Sequence, residues 1–270
     1  MNLIRAVFFL LLAINFAIVN AVTPQNNALK LPQSALYISG LDGWRFGLGL
    51  GYAIYLGDQM DYVLTKNFGE FKELRTNITL GAFKIKNQEN EWGFVFKHGS
   101  FQTLKSDNTQ GIQCDYNELQ MMFQHSLNEN VGLNAGPFTC NVQFGFGAMS
   151  YKSMYFTVNP NFQTIDVIYS SVGYGIVTAK DLNSNDLSHI PGKKIAIVGN
   201  AGLNLGFKVR RNMILYFENS FQASLSNKLS GNLNKISMIP PDCYFYTGLS
   251  LYYRFGGSIG RLGCPKLSYH

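Results

Sequence analysis

Two small groups of residues have types and spacing that could support chemistry. His98 and Ser100 are one residue apart, and a histidine beside a serine can act as base and nucleophile when a carboxylate orients the imidazole. However, His98 shares its alternation with the aromatic residues Trp92, Phe94 and Phe96, and no acidic residue is placed to orient it. The sequence therefore favours a non-enzymatic protein, although it leaves a catalytic role open.

Lys97 and Glu118 form the second group. They flank a predicted hairpin that turns near residue 108, so their side chains would lie almost opposite each other. We predict that they pair. Two roles fit such a pair, a structural one that fills an interior and a functional one as a gate or proton path.

The remaining chemistry-bearing residues do not indicate a cofactor or metal site. The cysteines, Cys114, Cys140, Cys243 and Cys264, lack the CxxC spacing of zinc sites. A disulfide is possible in an oxidising compartment, but the spacing alone does not pair the cysteines. We predict no catalytic residues, no cofactor and no metal ligands.

The elements that position these residues are predicted from a period-two alternation. Between Trp44 and Leu56, large apolar residues occupy every even position, and mostly glycine, alanine and arginine occupy the odd positions. Successive side chains of a strand point to opposite faces, so one face is bulky and apolar and the other is small. This arrangement is typical of a small membrane barrel, which places the bulky face on lipid.

The same alternation recurs along the chain and predicts an all-β fold, an eight-stranded antiparallel transmembrane β-barrel. The predicted strands are 44–56, 76–87, 91–105, 111–127, 131–151, 193–209, 212–228 and 242–255. In the second strand the apolar residues change parity, and Pro137 indicates a bulge in the fifth. Long and short connections alternate, as they do in outer-membrane barrels. The long connection 152–192 contains strand-like sequence, which predicts either a projecting hairpin or two further strands in a ten-stranded barrel.

Six charged residues fall on the predicted inner face. A charge on the lipid face at mid-depth costs roughly 2–4 kcal/mol, so parity and energetics agree on an inward position. Eight strands enclose an interior just wide enough for side chains to fill, which disfavours a wide pore. The predicted lumen charges are Arg45, Lys97, Glu118, Lys208, Glu218 and Arg254.

Composition and the N-terminal residues indicate export. Residues 1–21 have a short basic start, an apolar stretch and a small residue at the end, which predict a signal peptide. Only 14% of the residues are charged, well below the roughly 25% of soluble proteins, and the aromatic share is also 14%. No apolar run of 18 residues follows position 21, which excludes a helical span there. We predict a segment 22–43 and a tail 256–270, both periplasmic, on either side of the barrel 44–255.

The last predicted strand resembles the C-terminal signal of outer-membrane proteins. It carries Gly248 followed by apolar or aromatic residues at alternate positions, with Leu251, Tyr253 and Phe255 among them. This strand and the strand–loop rhythm of 44–255 resemble small outer-membrane barrels of the OmpA, OmpX and Opa type. The resemblance implies insertion by the barrel-assembly machinery. One departure is the tail after Phe255, which is too short for a cell-wall-binding domain.

These observations predict where the protein resides and what it contacts. We expect a Gram-negative outer-membrane protein that contacts membrane lipid and lipopolysaccharide and has both termini in the periplasm. The net charge of +6 comes without a run of basic residues, so a nucleic-acid partner is not indicated. The expected role is structural or adhesive, with loop 152–192 meeting an extracellular or host partner. A narrow channel and a lipid A-modifying enzyme, which small barrels build with a His and a Ser near the membrane surface, are the alternatives.

Overall fold

The computed structural model describes nine stretches of the chain. These are residues 43–56, 75–86, 89–104, 110–128, 137–159, 164–174, 188–210, 212–231 and 241–255. The predicted signal peptide, almost all of the segment 22–43, the tail 256–270 and Cys264 lie outside the described residues.

Ten strands follow one another in the described residues. They are β1 (Trp44–Leu56), β2 (Thr76–Ile85), β3 (Asn90–Leu104), β4 (Gln110–Ser126), β5 (Phe138–Asn159), β6 (Thr164–Val172), β7 (Ser188–Ile190), β8 (Lys194–Arg210), β9 (Met213–Ser224) and β10 (Cys243–Arg254). No helix in these stretches is long and apolar enough to span a bilayer.

Eight of these strands close into a barrel. The hydrogen-bonded order is β4-β3-β2-β1-β10-β9-β8-β5, and β4 also pairs with β5, which completes the ring. Each of these eight pairings is antiparallel. The prediction of eight strands is confirmed and the ten-stranded alternative is wrong, because β6 and β7 lie outside the ring.

The two ends of the barrel differ. We call the end where β1 begins and β10 ends the terminal end, and the opposite end the loop end. β5 is 22 residues long, and at the loop end it runs past the top of β8, which pairs with it only as far as Tyr151. Beyond that point β5 pairs with β6 from Ser153 onward, and β7 adds to β6 in parallel. The hairpin predicted within 152–192 is therefore present, and it projects from the barrel wall.

The outer face of the barrel is apolar, and the inner face carries glycines, polar side chains and buried aromatic rings. On β1, Leu48 and Leu50 are 58% and 57% exposed, whereas Arg45 is buried inside. Glycines on the inner face make room for large residues on neighbouring strands. A Cβ on Gly47 would lie 2.3 Å from Cδ1 of Tyr252, on the strand paired with β1. Small inward residues on one strand thus allow tyrosines on the next to fill the lumen.

Hydrogen-bonded His–Asn pairs bound the apolar band on both sides. His98 Nδ1 lies 2.8 Å from Asn117 Oδ1 toward the loop end, and His125 Nδ1 lies 2.9 Å from Asn90 Oδ1 toward the terminal end. Asn117 and His125 are eight residues apart on β4, about 26 Å of strand at roughly 3.3 Å per residue. At a strand tilt near 40° this gives about 20 Å of height, close to the roughly 25 Å apolar band of membrane barrels.

The structure corrects several details of the strand predictions. β2 alternates without interruption, because Phe83 points inward and is fully buried while Leu80 faces outward and is 48% exposed. Pro137 does not form a bulge within β5; it precedes the strand, and its carbonyl accepts a hydrogen bond from the Lys208 amide at 2.7 Å. β9 ends at Ser224 rather than at 228.

Candidate functional site

The barrel lumen is filled by three layers of side chains. The layer nearest the terminal end is built around Arg45, whose guanidinium carbon lies 4.8–5.1 Å from the ring centres of Phe83, Tyr216 and Tyr252. Arg45 also forms a direct ion pair with Glu91 at 2.6 Å and donates to Tyr216 Oη at 2.7 Å. A planar cation stacked among aromatic rings and bonded at its edge is well suited to a narrow interior.

The middle layer is polar and contains Lys97 and Glu118. The two residues are in register on β3 and β4, and both are buried, but they do not form a direct ion pair. The Gln222 amide joins them instead: its oxygen accepts from Lys97 Nζ, and its nitrogen donates to Glu118 Oε1 at 3.1 Å. This amide orientation is assigned from its hydrogen-bonding neighbours. Tyr244 Oη also donates to Glu118.

Lys97 makes a second contact on the other side of the lumen. Its Nζ lies 4.5 Å from the ring centre of Tyr246, whose hydroxyl is 2.8 Å from Thr79 Oγ1. Glu218 accepts a hydrogen bond from Tyr252 Oη at 3.3 Å, which connects the middle layer to the Arg45 layer. The middle layer therefore distributes its charges over amides and hydroxyls from strands on opposite sides of the barrel.

The layer nearest the loop end is aromatic. Phe101 stacks on Tyr55 and Tyr244 with ring centres 5.5 Å apart in each case, and Tyr116 lies 6.0 Å from Phe101. Leu229 is fully buried in the same cluster. Aromatic rings therefore lie in the lumen on both sides of the polar layer.

Leu229 belongs to a segment that we call the strap, Ser226–Gly231. Its backbone is held by side chains from three strands or strand ends: Ser153 Oγ donates to Lys228 O at 3.0 Å, Ser170 Oγ donates to Gly231 O at 2.6 Å, and the Leu229 amide donates to Asp242 Oδ2 at 2.9 Å. Gly231 has φ of 72°, which favours glycine at this bend. The strap covers the lumen at the loop end.

The other predicted lumen charges have different surroundings. Glu218 is buried inside, as described above, and Arg254 is half-buried at the end of β10, opposite Arg45 in the β1–β10 register. Lys208 is exposed, so its prediction as a lumen charge is wrong. It has the inward parity, but it lies at the terminal end of β8, where the β8–β9 register shifts and the lumen no longer encloses the side chain.

The residues of the predicted assembly signal occupy both faces of β10. Gly248 is inward and packs closely on β1, since a Cβ there would lie 2.8 Å from Leu50 O. Leu251 is 41% exposed on the outer face, and Tyr253 and Phe255 are half-buried, their rings 4.8 Å apart in edge contact.

The His98–Ser100 pair does not form a catalytic arrangement among the described residues. His98 lies on the outer face and contacts the Asn117 amide rather than a carboxylate. A second serine–histidine contact occurs outside the barrel, where Ser171 Oγ lies 2.9 Å from His189 Nδ1, but Ser171 is buried and would not meet a substrate. The geometry therefore gives no support to the lipid-modifying alternative.

The cysteines and acidic residues add no metal or redox site in the described part of the chain. Cys114 and Cys140 are free thiols, and the Cys243 thiol donates a hydrogen bond to Pro241 O at 3.3 Å. No described group of three or more His, Cys, Asp or Glu side chains could hold a metal ion.

A polar cluster lies on the outer wall at the loop end. Tyr174, just after β6, donates to Asp115 Oδ2 at 2.6 Å, and Lys152 Nζ lies 3.7 Å from the same oxygen and 4.7 Å from the Tyr174 ring centre. Burial, together with the hydrogen bond to Asp115, raises the pKa of Tyr174 above its ordinary value. The cluster fastens the end of β6 to the barrel wall.

Sequence reasoning missed two residues that complete the lumen. Glu91, the ion-pair partner of Arg45, lies on the same face of β3 as Lys97. Its position in the alternation therefore identifies it as a lumen charge. Asp242, which accepts from Tyr55 Oη at 2.8 Å and holds the strap, lies just before β10 and has no comparable signal.

Comparisons with known proteins found distant structural similarities. No family model and no curated protein matches the sequence. Among solved structures, the chain is similar to Neisserial surface protein A, with 6% identity, a TM-score of 0.43 and coverage of 79% of this chain and 98% of that one. Ail of Yersinia pestis gives 13% identity, a TM-score of 0.39 and coverage of 79% and 99%. A major outer membrane protein of Thermus thermophilus gives 11% identity, a TM-score of 0.41 and coverage of 78% of this chain and 99% of that one.

Similarities this weak carry no argument about function, so the class follows from the closed ring, the apolar outer band and the filled lumen. The protein is an eight-stranded transmembrane β-barrel.

Proposed function

We propose that the protein resides in a bacterial outer membrane with its loop end facing outward and both chain termini toward the periplasm. The support is architectural. Closed barrels are the β-structures that satisfy every backbone group within a bilayer. Outer-membrane barrels have short periplasmic turns and long outer loops, and here the hairpin and the strap both lie at the loop end.

We propose a structural or interaction role for this barrel, in which the rigid wall displays the loops and the β5–β6 hairpin to partners outside the cell. The observation that carries this proposal is the three-layer filling of the lumen. Because aromatic rings lie above and below the Lys97–Gln222–Glu118 layer, a barrel of this kind serves as a scaffold rather than a conduit. Function on such scaffolds is usually located in the loops.

A conductance measurement distinguishes the proposed scaffold role from the narrow-channel alternative. The purified, folded protein inserted in planar bilayers is expected to be electrically silent over the full voltage range. A steady single-channel current that changes in Lys97→Ala or Glu118→Ala would show that ions cross the middle layer, and the scaffold proposal would then be abandoned. Heat-modifiable gel migration serves as the folding control for each variant.

Surface display tests the orientation. An epitope inserted between Asn159 and Thr164, where β5 leads to β6, should bind antibody on intact cells. The same epitope inserted between β2 and β3, at Ile85–Asn90, is the matched control and should bind only after permeabilisation. The reverse pattern would place the loop end in the periplasm.

We also propose that the last strand is read by the barrel-assembly machinery and that the outer band contacts membrane lipid and lipopolysaccharide. The alternating outward residues of β10, with Leu251 exposed to lipid and Tyr253 and Phe255 at its end, support this. Replacing Phe255 with Ser should lower the amount of folded barrel in the membrane while leaving in vitro refolding unchanged. An equal loss in vitro would indicate a purely structural role for Phe255.

A further inference from the structure

Basic side chains converge on the outer wall where β5 meets β8 at the loop end. Lys152 of β5 is in register with Asp115 on the outer face, whereas Lys194 pairs with the inward Tyr151 and has the inward parity of β8. Lys193 immediately precedes β8, and Gly173 lies between it and Lys152: a Cβ on Gly173 would be 2.9 Å from Lys152 Cβ and 3.3 Å from Lys193 Cα. We call Lys152 and Lys193 the basic patch.

The charge of the basic patch is only partly offset by its described neighbours. Asp115 is 3.7 Å from Lys152 Nζ, but this carboxylate also accepts hydrogen bonds from Tyr174 at 2.6 Å and Gln113 at 3.3 Å. Within the described residues, Lys193 has no ion-pair partner, and it is exposed. The patch therefore has a net positive charge at the surface.

The depth of the patch is set by the strand registers. Lys152 is in register with Asp115, two residues beyond Asn117 on β4, and Asn117 with His98 bounds the apolar band. The basic patch consequently lies just above the band, at the level of lipid headgroups rather than of acyl chains or bulk solvent.

An exposed apolar surface continues directly below the patch. Ile195 and Ile197 lie on the outer face of β8 and are 76% and 58% exposed. Below them the wall is indented into a groove of about 570 Å³, open to the outside and bordered by Phe146, Gly199 and Phe221 among others. No described atom lies within 4 Å of a Cβ built on Gly199.

We infer that this surface binds a phosphorylated, multiply acylated glycolipid of the outer leaflet, with its phosphate on the basic patch and one acyl chain in the groove. Charge complementarity selects an anionic headgroup, and continuity with the lipid-facing band selects a lipid rather than a free polyanion. A peptide or nucleic acid would leave the groove below the patch unfilled. The inference rests on the proposed orientation, with the loop end outside.

The test uses the full-length folded protein in neutral detergent and native mass spectrometry or fluorescence titration with lipid A as the probe. Bisphosphorylated lipid A should bind, and lipid A with its phosphates removed should bind far less. The double variant Lys152→Ala/Lys193→Ala should bind about 30-fold more weakly, which corresponds to about 2 kcal/mol if each lysine near the surface contributes about 1 kcal/mol.

The matched control is Lys208→Ala/Arg210→Ala, which removes two exposed cations of β8 at the terminal end. It should bind lipid A as the native protein does. Gly199→Leu should weaken lipid A binding by filling the groove, while leaving the affinity for inorganic phosphate unchanged.

Three results would overturn the inference: equal losses in the lysine and control variants, equal binding of the dephosphorylated lipid, or competition by inorganic phosphate at the affinity of the lipid. Because this assay requires no orientation in a membrane, a negative result with a folded barrel would count against the lipid site alone. Failure of the epitope or conductance experiments would instead count against the proposed function.

Discussion

Arg45 and Lys97, the two buried cations among the described residues, are stabilised in different ways. Arg45 has its own carboxylate, Glu91 at 2.6 Å, and three aromatic rings around its guanidinium. Lys97 shares the Gln222 amide with Glu118 and faces the Tyr246 ring. A guanidinium is planar and offers five donors in a fixed fork, whereas an ammonium is a compact point charge. The difference indicates that the Arg45 layer depends on one pair and the Lys97 layer on a shared network.

Removing Arg45 should give the largest effect. Arg45→Met leaves Glu91 without its cation and Gln124 Oε1 without its donor, whereas Tyr216 Oη keeps the Asn141 amide as a donor; the free energy of unfolding should fall by about 3 kcal/mol. Urea unfolding in lipid vesicles, followed by the fluorescence of Trp44 and Trp92 at the terminal end, measures this. The double variant Arg45→Met/Glu91→Gln should recover part of the loss, and no recovery would show that the ion pair itself is unimportant.

Removing Lys97 should cost less. In Lys97→Met, Glu118 keeps the donors Tyr244 and Gln222, and Glu218 keeps Tyr252, so we expect a loss of about 2 kcal/mol in the same assay. Combining it with Gln222→Leu should give a loss that differs from the sum of the single losses, because the two residues share one network. Additive losses, or a Lys97 effect larger than that of Arg45, would contradict the comparison.

Lys208→Ala is the internal control for the Arg45→Met and Lys97→Met experiments. The sequence predicts Lys208 as a lumen cation, but it is exposed, so Lys208→Ala should change the free energy of unfolding by no more than about 0.5 kcal/mol. A loss as large as that of Lys97→Met would mean that Lys208 is enclosed after all.

The prediction of the strands depended on information carried locally along the chain. The alternation between Trp44 and Leu56 predicts the bounds of β1 correctly, because the type of each residue there indicates whether its side chain faces lipid or lumen. β2 was less clear, since Phe83 is an apolar residue on the inner face and its type alone does not distinguish lipid from lumen. The prediction for β5 begins seven residues too early and ends eight residues too early. The strand continues beyond Tyr151 because β4 pairs with one of its edges as far as Thr157 and β6 pairs with the other.

The sequence by itself determined that eight alternating strands form a barrel with its bulky face outward, and that Lys97 and Glu118 lie opposite each other on neighbouring strands. Only the tertiary structure decided which groups meet across the lumen: Arg45 of β1 with Tyr216 of β9, and Lys97 of β3 with Gln222 of β9. The physical reason is closure. Parity and hairpin register follow from adjacent residues and turns, whereas contacts across the lumen depend on the stagger accumulated around the whole ring.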